Sequence, residues 1–137
     1  MKKTLFAIAA VALALGTTGA AVAQNDSGEA AAPSRGEAQL AKMLEGRVAG
    51  KPQSCISAQI SNRLQIIDRT AVVYDGGGTV YVARPRDPRS LDTNDILVIN
   101  RFGSELCKQD VIRTVDRTSG FMTGVVFLDD FVPYSRR

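Results

Sequence analysis

The side chains of this sequence that are able to do chemistry are few. They are two cysteines, Cys55 and Cys107, the arginines of the run Arg84-Pro85-Arg86-Asp87-Pro88-Arg89, and a scatter of carboxylates; histidine is absent. Without histidine, Ser-His-Asp and Cys-His nucleophilic catalysis are excluded, and zinc would be left with carboxylates and two sulfurs. The cysteines lie 52 residues apart, unlike the C-x-x-C spacing of a redox pair, and no histidine is present to activate either thiol. In an exported chain the simplest chemistry for such a pair is a structural disulfide. Closing a loop of this length stabilises a fold by about 4 kcal/mol through the entropy of the unfolded chain.

The carboxylates Asp68, Asp75, Asp87, Asp92, Asp95, Glu105, Asp110, Asp116, Asp129 and Asp130 fall mostly at expected strand ends and turns, where aspartate is ordinary turn chemistry. Asp129-Asp130 is a candidate for cation binding or acid/base work, but adjacent strand residues point to opposite faces. No catalytic pair, metal site or cofactor is therefore assigned. The triple glycine Gly76-Gly77-Gly78 lacks the Lys-Ser/Thr of a phosphate-binding loop and leads into strand-type residues, so it reads as a turn. Arg84, Arg86 and Arg89 remain as candidate anion- or partner-binding residues, because guanidinium forks match carboxylates and phosphates and the prolines restrict the loop that carries them. The competing reading is a solvated loop whose charges pair with Asp87 and Asp92.

Several elements must position these groups. Residues 1–23 carry Lys2 and Lys3, an apolar run Leu5 to Leu15 and a closing Ala21-Val22-Ala23, the pattern of a signal peptide cleaved after Ala23. As a helix the apolar run would rise only roughly 16 Å, about half a hydrocarbon core, so no stable membrane anchor is expected after cleavage. Loss of Lys2 and Lys3 takes the 17 basic residues to 15 against 14 acidic ones, a net charge of +1. Such a balance gives nucleic-acid binding little support. Residues 24–34 are small and polar and read as a disordered leader. Residues 35–137 then form one small domain, opening with the run RGEAQLAKMLEGRVAG, where Leu40, Met43, Leu44 and Val48 recur at helical spacing behind a Ser34 cap and predict a helix over 35–47. Its apolar stripe is expected to pack on the domain's own sheet.

From residue 55 to 134 the pattern is extended. Runs at 62–68, 70–75, 79–84, 95–101, 110–117 and 124–132 predict about six strands. Residues 70–84 form a glycine-turn hairpin with Tyr74 opposite Val80 and Val73 opposite Tyr81, apolar on both faces. Four consecutive apolar residues, Ile96 to Ile99, suit a central strand buried on both sides, and the last run groups Val125, Phe127 and Phe131. The predicted fold is mainly β, a small antiparallel barrel or sandwich preceded by one short α-helix.

The segments LEGRVAGKPQSCIS, IDRTAVVYDGGGTVYVARP, DILVINRFGSELCKQDVIRTVDR and LDDFVPY, together spanning about Leu40 to Tyr134, resemble a family of small exported proteobacterial proteins classified only as a domain of unknown function. The resemblance implies periplasmic or envelope residence and a mostly β domain, and it supplies no activity, substrate or catalytic residue. Many members carry a second cysteine pair, one in the loop after the hairpin and one in the last strand; this chain has none there, and Val126 stands near one such place. The expected function is a non-enzymatic periplasmic binding or interaction module, held by one disulfide and acting on an envelope protein or small ligand. The alternative is a carboxylate-based enzyme acting on an envelope component.

Overall fold

Ser34 starts the helix as its residue type suggests: the Ser34 hydroxyl accepts the Glu37 N–H at 3.2 Å. In this computed structural model, which describes residues 32–59, 63–101 and 103–137, α1 runs Arg35–Met43. The expected signal peptide (1–23) and most of the leader lie outside the described residues. The helix is shorter than the predicted 35–47, because Gly46 takes a positive φ of 70° and turns the chain straight into a strand at Arg47. Leu40 is buried against Ile67, Ala71, Val73, Val80 and Val82, so the stripe packs on the domain's own sheet. Gly36 makes the close approach possible, since a Cβ there would overlap the Thr70 side chain and the Asp68 carbonyl.

Ten strands follow among the described residues, where the sequence predicts about six. They are β1 Arg47–Ala49, β2 Cys55–Ser57, β3 Leu64–Ile67, β4 Ala71–Asp75, β5 Thr79–Ala83, β6 Asp95–Ile99, β7 Glu105–Cys107, β8 Ile112–Asp116, β9 Met122–Val126 and β10 Val132–Arg136. All pairings are antiparallel: β1-β10-β5-β4-β3 form one sheet, β6-β8-β9 a second and β2-β7 a third. The five-stranded sheet is the middle layer. One face carries α1; the other meets the two smaller sheets over a core of Ile56, Val72, Tyr74, Leu91, Leu106, Ile112, Val126, Leu128 and Phe131. β4 is therefore buried on both faces, as its two-sided apolar pattern requires.

The sheets are stitched together at two corners. Residues 50–54 carry the chain from β1 to β2, and residues 127–131 carry it from β9 to β10. At the corners Gln53 and Phe131 exchange two backbone hydrogen bonds of 2.8 Å, while Pro85 bridges to Leu128. The run 124–132 is thus two strands and a bend instead of one strand, and Phe127 (53% exposed) parts from the fully buried Phe131. On the opposite side the sheets do not join. Among the described residues the outer edges of β3 and β6 have no strand partner, so of the predicted barrel or sandwich the closed barrel is not formed.

Two further expectations change. The hairpin pairs Tyr74 with Tyr81 and Val73 with Val82, one residue out of the predicted register. The reason is a tighter loop: Gly76 N–H donates to the Thr79 carbonyl at 2.9 Å and the Asp75 carboxylate accepts the Gly77 N–H at 2.8 Å, leaving Gly77 and Gly78 as a two-residue turn. And β6, predicted central, is an edge strand whose Ile96 and Val98 are 45% and 40% exposed. Cys55 and Cys107 lie directly opposite each other across β2 and β7 and form the disulfide.

Candidate functional site

A half-open groove of about 830 Å³ lies between the facing edges of β3 and β6, within the size range of ligand sites. Its apolar lining comes from Leu64 and Ile66 on β3, Leu97 and Ile99 on β6, and Ala58, Tyr74 and Leu106 beneath. Tyr74 stacks obliquely on Tyr81 with ring centroids 6.4 Å apart, which fixes the floor. Polar groups stand at the ends: Arg117 and Asp95 at one, Arg101 at the other. Arg117 N–H donates to the Asn94 carbonyl (3.1 Å), which places its side chain at the start of β6, and the Arg101 guanidinium donates to the Ser104 carbonyl at 3.2 Å. Asp95 is buried, with one carboxylate oxygen accepting the Thr123 hydroxyl at 2.8 Å.

The backbone geometry of the two edges follows from the ladders. Because Gly76 and Thr79 are a hydrogen-bonded pair, alternation turns the backbone groups of Val72 and Tyr74 toward β5 and those of Ala71 and Val73 toward β3. Their β3 partners are Ile67 and Gln65, so Leu64 and Ile66 aim their N–H and C=O groups outward. On β6, the bond from Arg117 to Asn94 makes Ile96 and Val98 the residues bonded to β8, which turns Leu97 and Ile99 outward. Each of these four residues lines the groove, and among the described residues none of their outward backbone groups has a partner. The outer face of the same small sheet is also apolar, with Ile96, Val98, Met122 and Val125 exposed and no element over them among the described residues.

The three candidate arginines are not among the groove's lining residues, and each pairs with a different carboxylate. Arg84 reaches back to α1 and grips Glu37 through two contacts of 2.5 and 3.0 Å. Arg86 lies 3.8 Å from Asp129, and Arg89 holds Asp87 at 3.1 Å. Each is therefore matched to a carboxylate, and the Arg84 pair fastens the proline loop to the start of the helix. Hydrogen bonding from Arg84 holds the Glu37 carboxyl below its ordinary value, and Arg89 does the same for Asp87.

The carboxylates are likewise engaged. Asp116 caps its turn by accepting the N–H groups of Ser119 and Thr118, the first of which contributes most to lowering its pKa. Asp130 is lowered mainly by Lys108, 2.7 Å away, with the Ser54 hydroxyl assisting. Asp129 turns instead toward Arg86, so the adjacent pair diverges. Asp92, Asp95 and Asp116 surround a smaller polar cavity of about 330 Å³, where Asp92 accepts the Asn94 N–H and Asp116 the Asn94 side-chain amide. Glu105 lies beside the disulfide, whose sulfurs are bonded to each other and offer no thiolate to a metal.

These directions set a pH dependence. A carboxyl with a folded pKa below its unfolded value, ordinarily about 4.3 for Glu and 3.9 for Asp, contributes stability that is complete above that value and lost as pH falls through the folded pKa. The urea midpoint is accordingly expected to be flat from about pH 7 to 5 and to fall below about pH 4.5. Glu37→Gln should shallow that fall and cost less than about 1 kcal/mol at pH 7, because the pair is exposed. An unchanged acid limb in Glu37→Gln would show that the pair contributes nothing.

No helix among the described residues is long and apolar enough to cross a membrane. The chain matches no family model, no curated protein and no solved structure.

Proposed function

We propose that this is an exported periplasmic interaction module, non-enzymatic, that engages an envelope partner through the groove between β3 and β6. The observation that carries the reading is the groove itself: an apolar, half-open channel walled by two sheet edges without strand partners among the described residues. A half-open channel that combines apolar lining with polar groups at its ends has the character of an interaction site. Export is supported by the signal-peptide pattern of residues 1–23, by the disulfide and by the resemblance to small exported proteins. The polar groups of the groove suit recognition better than reaction, since among the described residues Asp95 is its single carboxylate and is bonded to Thr123.

A photoreactive amino acid at Gln65, an exposed residue of the groove wall, tests the reading in the cell. Irradiation is expected to give a discrete adduct in the periplasmic fraction, identifiable by mass spectrometry, while the same probe at exposed Lys51 on the β1–β2 corner gives none. Equal labelling from the two positions, or none from Gln65, rejects the groove as the contact surface.

A further inference from the structure

We infer that the occupant of the groove is an extended polypeptide segment that inserts as an added strand between β3 and β6, with apolar residues alternating along it and acidic residues flanking them. The inference rests on the reading of the groove as the binding site and goes beyond it in naming the chemistry of the occupant.

The backbone decides the class. Leu64, Ile66, Leu97 and Ile99 each direct an N–H and a C=O toward the groove, and a partner that satisfies such regularly repeating donors and acceptors must repeat in the same way. An extended peptide does so on both of its edges at strand spacing. An acyl chain or a sugar leaves most of these groups unpaired in a partly dehydrated channel, at the usual cost of burying backbone without partners.

Side chains and charge narrow the sequence. The side chains of those same four residues point inward onto the Tyr74 and Leu106 floor, so every second residue of the occupant faces apolar surface and the alternate residues face solvent. β6 is five residues long, about 17 Å at strand rise. Arg117 stands at its start and Arg101 beyond its end, whereas the one carboxylate of the lining among the described residues is already bonded to Thr123. A segment of about seven residues, apolar at alternate positions and acidic at both ends, matches that length and charge. Insertion would join the five-stranded and three-stranded sheets on the side where the fold is open and cover the β3 and β6 edges, which otherwise invite unwanted pairing.

The experiment uses the oxidised exported chain and a pool of terminally blocked heptapeptides that alternate valine, isoleucine or leucine with threonine and carry glutamate at each end. Amide hydrogen exchange of the protein is followed residue by residue. The expected result is at least roughly tenfold slower exchange at Leu64, Ile66, Leu97 and Ile99 on saturation, and loss of that protection when the peptide amides are N-methylated. A charge-inverted pool ending in lysine should protect less. Several outcomes overturn the inference. They are no protection by any peptide, protection confined to β6, or binding of palmitate that shifts groove side chains without slowing these amides. Slow exchange at all four amides through self-association of the protein alone would make a second copy the occupant instead. The palmitate result would leave the groove standing as a binding site while removing the peptide, whereas failure of the Gln65 cross-link removes both.

Discussion

Replacing Cys55 and Cys107 together by serine is expected to lower the unfolding free energy by about 4 kcal/mol and the melting temperature by roughly 15–30 °C for a domain of this size. The magnitude comes from the unfolded chain, since the bond closes a loop of 52 residues in sequence. The folded side of the balance should change little. Lys108 N–H donates to the Ser54 carbonyl and Ala58 N–H to the Ser104 carbonyl, so alternation puts Cys55 and Cys107 at a non-hydrogen-bonded pair, where side chains lie closest. The ladder bonds on either side therefore remain available without the sulfurs. They are few: β2 and β7 are three residues each, and an isolated two-stranded ribbon is marginal in water. Reduction of the unaltered protein should reproduce the double-serine melting curve. If either treatment costs less than about 1 kcal/mol, the bridge is not the staple of this fold.

What the sequence made legible was chemistry local to a few residues. The Ser34 cap, the glycine turn and the pairing of the only two cysteines depend on residue types at short spacing or on simple elimination. The helix partner was legible too, because an amphipathic stripe in a short helix must face the core. Legibility failed where the deciding interaction was distant or subtle. The three-residue strands β1, β2 and β7 are too short to show a period of two, and they are strands because β10 and each other hold them. The hairpin slipped by one because the Asp75 carboxylate draws the Gly77 N–H into a tighter turn, which three glycines in a row do not announce. Ile96 to Ile99 reads as doubly buried, yet it lies at a sheet edge, since order within a sheet depends on topology and not on the strand's own composition.

The groove was illegible for the same reason. Its apolar lining is Leu, Ile, Val, Tyr and Ala, indistinguishable by type from core, and its distinguishing property is backbone direction at two edges that are more than 25 positions apart in sequence. The arginine loop, the most conspicuous polar run, lies elsewhere, with each guanidinium matched to a carboxylate. Residue type points to charge, whereas strand pairing order fixes which backbone groups face outward.

Phe131→Ala is expected to cost about 3–5 kcal/mol, whereas Phe127→Ala, four residues earlier, should fall within about 0.5 kcal/mol of the unaltered protein. Phe131 is the largest fully buried side chain, set at the corner where β2 and β10 approach and where Gln53 exchanges two backbone bonds with it. Those bonds do not involve the ring, so the corner can still form in the alanine variant and the loss reports the ring's burial and the cavity it leaves. Leu91, Leu128 and Val126 belong to the same cluster, and collapse into the vacated space would require the two sheets to shift together. Phe127 has no such enclosure. In a domain whose whole stability is of order 5–15 kcal/mol, Phe131→Ala should melt near the working range while Phe127→Ala is indistinguishable from the parent in a urea titration. Similar losses from the two would mean that residues 124–132 run as one strand with both rings on one face, and the corner that separates the sheets would have to be redrawn.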